Sequence, residues 1–123
     1  TSAALPPLAL TMGDPAGCGP AISAAAWSAL HHDPSLAFYL IAAPHLIAGV
    51  PVKLIASPAE APGVFADALP VLALDGVPPV APGKPDEAAA PGIVRAIEMA
   101  VADALAGRAS GVVTNPINKA LLY

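Results

Sequence analysis

Leu8-Ala9-Leu10-Thr11-Met12-Gly13-Asp14-Pro15-Ala16-Gly17-Cys18-Gly19-Pro20 is a short apolar run, a glycine-rich turn and a proline in succession. Leu8 to Thr11 reads as a buried strand. Pro20 falls where a first helical position is expected, because proline lacks an N–H that the first turn would leave unpaired anyway. The spacing predicts a helix from about Pro20 to Leu30, with Ile22, Ala26, Trp27 and Leu30 on its apolar face and Asp33-Pro34 past its end. A strand feeding such a loop and then a helix brings backbone N–H groups to an anionic ligand. A second junction of this kind, Gly111-Val112-Val113-Thr114-Asn115-Pro116-Ile117-Asn118-Lys119, comes a hundred residues later. Together they imply one composite site. The first loop is not a Walker A sequence, since no Lys-Ser/Thr pair follows its glycines, and not the Rossmann fingerprint, whose third glycine is Ile22 here.

Working outward, Ala37 to Ile41 reads as a second strand, Pro44 starts a short helix through Ile47, and Val52 to Ile55 is a third apolar run. Ser57 to Gly63 is expected to be irregular because of its prolines. Val71 to Leu74 is another strand, and Asp75 to Asp86 is a loop broken by Gly76, Pro78, Pro79, Pro82, Gly83 and Pro85, long enough to invite a functional or interface role. From Glu87 to Leu105 the pattern is helical: Ile93, Ile97, Val101 and Leu105 recur every four residues, while Arg95, Glu98 and Asp103 fall on other faces. Pro91 should kink this helix or mark its true start, and Gly107 suits its stop. Gly111 to Thr114 is a final strand, and Ile117 to Tyr123 begins a helix without a terminating signal. Strands alternating with helices, in apolar runs too continuous for one-sided burial, predict an α/β architecture with a mainly parallel sheet flanked by helices. Because that last helix is unterminated, residues 1–123 are expected to be an α/β segment of a longer protein.

Composition narrows the function classes. The 123 residues are 56% hydrophobic, but much of that is alanine, so a large aromatic core is excluded. Nine acidic against five basic residues give a formal charge of -4, and Lys53, Lys84, Arg95, Arg108 and Lys119 are scattered. No electrostatic footprint for nucleic acid or an anionic membrane results, and a small-molecule partner is expected. Sixteen prolines and ten glycines sit between apolar runs, the distribution of frequent turns. The apolar region from Leu36 to Val52 is broken by Pro44, His45, Gly49 and Pro51, so neither export nor membrane spanning is expected. Cys18, the one cysteine, excludes an internal disulfide and fits a reducing, cytoplasmic setting.

The segments LTMGDPAGCGP (10–20), GKPDEAAAPGIVRAIEMAVADALAG (83–107) and VTNPINKALL (113–122) resemble the N-terminal part of the 4-hydroxythreonine-4-phosphate dehydrogenase family. That family is similar in fold to isocitrate and isopropylmalate dehydrogenases, with a Gly-Asp loop at the cleft between two domains. This chain departs at Cys18, where isoleucine is usual, and at Ala21, where an acidic residue is usual. The resemblance implies oxidation of a secondary alcohol by hydride transfer to NAD or NADP, then decarboxylation, on 4-phosphooxy-threonine in pyridoxal phosphate (vitamin B6) biosynthesis. It also implies a homodimer and a divalent metal (zinc, magnesium or cobalt). The family's substrate-contacting His-Thr pair and its metal-binding histidines come beyond these residues. His31, His32 and His45 do not match them, so no metal ligand is expected in this chain and the 123 residues alone are expected to be inactive. Relatives within the family act on phosphorylated four-carbon sugar acids of the phosphothreonate and phosphoerythronate type, and the motifs do not separate the two. A noncatalytic anion-binding module is the alternative from another class.

Within these residues Lys119 is the candidate catalytic or phosphate-contacting group, since it lies in the first turn of a helix after a strand end. Gly13, Asp14, Gly17, Gly19 and Asn115 are the candidate cofactor-binding residues lining the cleft. Asp14 either orients a ligand hydroxyl or fixes the turn through an Asx hydrogen bond. Asn115 and Thr114 either donate to a ligand or cap the following helix, with Thr114 favoured as the cap. Cys18 fills space in preference to acting as a nucleophile, and His31 and His32 have surface or capping roles at a helix end.

Overall fold

The computed structural model describes residues 5–77 and 87–116. Five short strands form one sheet: β1 (Leu8–Thr11), β2 (Phe38–Ala42), β3 (Val52–Ile55), β4 (Leu69–Ala73) and β5 (Val112–Thr114). Their order is β3-β4-β2-β1-β5, and every neighbouring pair is parallel. The expected parallel α/β architecture is therefore present, and its physical signature is β2, whose residues Phe38-Tyr39-Leu40-Ile41-Ala42 are all buried. Register aligns Leu10 with Leu40 and Val113, and Thr11 with Ile41 and Thr114. Pro70 is accommodated inside β4 because the N–H of Leu69 donates to Pro51 O at 2.9 Å. Alternation turns the nitrogen of Pro70 toward β2, ahead of the first β2–β4 pair, Leu40 with Val71.

The sheet is covered on both faces. Phe38 meets Phe65 edge to face at 5.2 Å, and Trp27 Nε1 donates to Phe65 O at 2.8 Å, so helices α1 (Gly19–Leu30) and α2 (Ala61–Val64) share one face. Tyr39, the next residue of β2, points the other way and donates from its hydroxyl to Asp103 Oδ2 at 2.5 Å. That contact places helix α3 (Ala90–Leu105) on the opposite face. Arg108 Nε closes the network on Asp103 Oδ1 at 2.9 Å, and the Asp103 carbonyl accepts from the N–H groups of Arg108 and Ala109. Burial and the hydrogen bond to Asp103 push the Tyr39 hydroxyl pKa well above the usual tyrosine value. Among the described residues no helix is long and apolar enough to cross a membrane.

Three expectations require correction. Residues 57–63 are not irregular: a 3-10 turn (Pro58–Glu60) runs into α2, and the Glu60 carboxylate accepts from the N–H groups of Ala56 and Ser57 as part of a capping box with Ser57. Of the expected apolar face of α1, Trp27 is buried and Ala26 and Leu30 pack half-buried against the core, but Ile22 is 45% exposed and its place on the buried face is taken by Pro20, Ser23 and Ala24. On α3 the four-residue apolar stripe winds off the sheet, since each step of four overshoots a turn by about 40°. Ile93 is buried, Leu105 is 85% exposed, and the inner face is Gly92, Ile93, Ala96, Ala100 and Asp103. Asp103 thus lies on the buried face and not on an outer one. Pro91 stands in the first turn of α3 and marks its start.

Candidate functional site

Ligands of open parallel sheets bind in the crevice outside the carboxyl ends of the strands. Here Thr11 and Thr114 end adjacent strands at the same level, so the loops that follow leave side by side. They are bonded to each other. The N–H of Asp14 donates to Pro116 O at 3.0 Å, and Asn115 Nδ2 donates to Thr11 O at 2.8 Å. Asn115 Nδ2 also donates to Ser23 Oγ at 3.0 Å, and the Ser23 hydroxyl donates to Gly19 O at 2.8 Å. A backbone carbonyl can only accept, so the contact with Thr11 fixes which end of the Asn115 amide faces inward.

This packing gives the glycines of the turn separate reasons to be glycine. Gly13 has φ +69°, and a Cβ there would stand 2.5 Å from Pro116 O. A Cβ on Gly19 would run into Met12 O and stand 3.0 Å from the Asn115 Cβ. Gly13 is dictated by the approach of residues 115 and 116, and Gly19 first by the turn's own Met12 carbonyl and then by Asn115. Gly17 is different: it is exposed, and a Cβ there would make an ordinary contact, 3.4 Å from Asp14 O.

Asp14 is buried, and its Oδ1 accepts from the N–H of Ala16 at 2.9 Å while its carbonyl accepts from Gly17 at 2.9 Å. The Asx reading of Asp14 is present in the geometry. The rim that remains open is Gly17-Cys18, directly before α1, whose first turn carries neither a capping side chain nor an acidic residue. Ala21, the departure from the family pattern, leaves the positive end of the helix dipole without a local carboxylate. Gly13, Asp14, Gly17, Gly19 and Asn115 therefore come together at one end of the sheet, with Asn115 turned into the interior. Lys119 lies outside the described residues. Thr114 is exposed at the end of β5, and the helix it was expected to cap also lies outside them.

Sequence reasoning missed two participants. Ser23 is fully buried between α1 and Asn115, and its only trace in the sequence is a hydroxyl four residues after Gly19. The Thr11 Oγ1 hydroxyl is buried without a hydrogen-bond partner among the described residues. The histidines are elsewhere: His31 stacks on Trp27 with ring centroids 4.5 Å apart, and its Nδ1 lies 3.0 Å from Ala66 O at the carboxyl end of α1. Among the described residues no group of three or more His, Cys, Asp or Glu side chains could hold a metal ion.

A family model described as "Pyridoxal phosphate biosynthetic protein PdxA" matches residues 29–123. The chain belongs to the PdxA family. PdxA-family relatives extend the match to the glycine turn. The 4-hydroxythreonine-4-phosphate dehydrogenase of Caulobacter vibrioides is 48% identical over 121 residues, covering 95% of this chain and 36% of that protein. That of Zymomonas mobilis is 42% identical over 120 residues, again 95% of this chain and 36% of the relative. The chain thus spans about 36% of the length of these curated PdxA relatives. The crystal structure of 4-hydroxythreonine-4-phosphate dehydrogenase from Klebsiella pneumoniae superposes with a TM-score of 0.75 at 27% identity, over 94% of this chain and 38% of that one.

Proposed function

We propose that this chain is an α/β segment of a two-domain 4-hydroxythreonine-4-phosphate dehydrogenase, which oxidises and decarboxylates 4-phosphooxy-threonine with NAD or NADP as hydride acceptor. The observation that carries the reading is the bonded pair of loops at the carboxyl edge, Asp14 N to Pro116 O and Asn115 Nδ2 to Thr11 O, in a chain 48% identical to an enzyme of that name. The nicotinamide supplies the redox chemistry when bound. The residues present fit a phosphate-bearing ligand: the rim at Gly17-Cys18 is open, and the first turn of α1 is uncapped and carries no acidic residue, the nearby Asp14 carboxylate being engaged with the N–H of Ala16. Asp14 holds that rim in place through Ala16 and Gly17 and has Oδ2 left for a ligand hydroxyl. Lys119 adds a cation for phosphate or for the reacting oxygen. Among the described residues no three His, Cys, Asp or Glu side chains gather to hold a metal ion, so the divalent ion expected of the family would draw its ligand set from beyond them. In this reading the enzyme is cytoplasmic and works as a homodimer.

The test is nicotinamide reduction by the full-length, metal-supplied protein, with 4-phosphooxy-threonine compared against a phosphorylated four-carbon sugar acid. Faster turnover of the first supports the proposal. Preference for the sugar acid would move the protein to the other branch of the family, and phosphate binding without reduction of either cofactor would favour the noncatalytic module.

A further inference from the structure

We propose that Ser23 and Asn115 form a positioning couple that sets where the phosphate-facing turn stands. The inference rests on the dehydrogenase reading above. Residues 12–18 leave the sheet at Thr11 and enter α1 at Gly19, and both ends are held by one amide. Asn115 Nδ2 donates to Thr11 O at 2.8 Å and to Ser23 Oγ at 3.0 Å, and Ser23 passes the second bond on to Gly19 O at 2.8 Å. Asn115 is 5% exposed and Ser23 0%, so water cannot replace either bond cheaply. Both amide hydrogens of Asn115 are committed to the protein. Its Nδ2 group therefore acts on a ligand through the turn and not by donating to it.

The geometry also shows why a substitute is hard to find. The Gly19 Cα sits where a Cβ would be 3.0 Å from the Asn115 Cβ, so helix and loop are already in contact and the couple decides their register. Removing the Ser23 hydroxyl leaves one buried Asn115 N–H unpaired and frees the first turn of α1 to shift. A shift of that kind moves the backbone donors that meet phosphate, and misplacement on the ångström scale costs up to about a hundredfold in a positioned site.

The ligand chemistry is a phosphate anion, which either the nicotinamide dinucleotide or the phosphorylated substrate can supply. The experiment compares Ser23→Ala, Ser23→Thr and Tyr39→Phe in the full-length protein. Tyr39→Phe is the control, because it deletes a buried hydrogen bond near the amino ends of the strands, away from the turn. Each KM is measured with the other ligand saturating, and backbone hydrogen exchange is followed over residues 12–19 and 38–42. For Ser23→Ala the expected result is a rise of about tenfold in one KM, kcat within about twofold, and faster exchange over 12–19. Ser23→Thr, which keeps the hydroxyl, should recover much of that KM, and Tyr39→Phe should leave both KM values unchanged. The KM that moves identifies the phosphate source. Unchanged KM values with wild-type exchange over 12–19 in Ser23→Ala would overturn the couple. So would equal KM losses in Ser23→Ala and Tyr39→Phe, which would mean general destabilisation. An inactive wild type would instead remove the dehydrogenase reading, and exchange over 12–19 would still decide whether Ser23 holds the turn.

Discussion

Replacing Tyr39 by phenylalanine isolates the bond that fastens α3 to the sheet. The ring is fully buried, and phenylalanine keeps its volume, so no cavity complicates the result. What is lost is a 2.5 Å hydrogen bond to Asp103, a charge-assisted contact of the class worth about 1.5–3 kcal/mol. Arg108 will not make up the difference, since its side chain is 52% exposed and an ion pair so open to solvent contributes about 1 kcal/mol or less. The expected destabilisation at neutral pH is therefore about 2 kcal/mol, read by urea denaturation. A second signature is alkaline. The Tyr39 pKa is raised in the fold above its unfolded value of about 10, so the folded state holds the proton more tightly. Its stabilising contribution is complete below pH 10 and declines as pH rises further, by up to about 1.4 kcal/mol per pH unit for one such group. Tyr39→Phe should lose stability at pH 7 and show a shallower decline above pH 10. A loss below about 0.5 kcal/mol, or an unchanged alkaline slope, would refute the reasoning.

The glycine turn makes its own predictions. Gly13→Ala and Gly19→Ala should each destabilise by about 2 kcal/mol or more, because the new methyl group meets Pro116 O or Met12 O, whereas Gly17→Ala should stay within about 0.5 kcal/mol in thermal denaturation. Equal effects at all three positions would contradict the packing described for the turn. Thr11→Val removes a buried hydroxyl with no partner among the described residues and should raise stability by about 1 kcal/mol; a fall in melting temperature would mean that the hydroxyl is in use. Lys119→Ala in the full-length enzyme should lower turnover or substrate affinity, and steady-state kinetics unchanged in both parameters would remove Lys119 from the site.

The parallel sheet was legible because its strands are short apolar runs, the central β2 buried on both faces, a pattern that survives without any partner information. The helical faces were less so. In a chain this rich in alanine, the residues that approach the sheet most closely are Ala96 and Ala100, while the larger Val101 and Leu105 turn outward. Periodicity of the bulky side chains therefore points to the wrong stripe. Asp103 was hidden by its charge, which reads as solvated until Tyr39, Arg108 and two backbone N–H groups are seen to converge on it. The capping box of Ser57 and Glu60 was present as spacing, but Pro58 and Pro62 made the segment read as irregular. At the site, the residue types were readable and the reason for them was not. Gly13 is small because Asn115 and Pro116 arrive beside it, a fact of tertiary structure that no local window contains, and Gly19 is small because the turn folds back on the Met12 carbonyl.

That arrival has a consequence in time. The donor that fixes the end of β1 lies 104 residues downstream of its acceptor, and the one that reaches Ser23 lies 92 residues downstream. A ribosome adding about 5–20 residues per second needs roughly 5–20 s to cover that distance. Until then the nascent glycine turn has no second loop to lean on, and neither Gly13 nor Gly19 is under any steric constraint from it. The carboxyl edge at β1 is thus completed only once β5 has been added beside it, while the β1–β2 pairing beneath it is available from the first forty-odd residues.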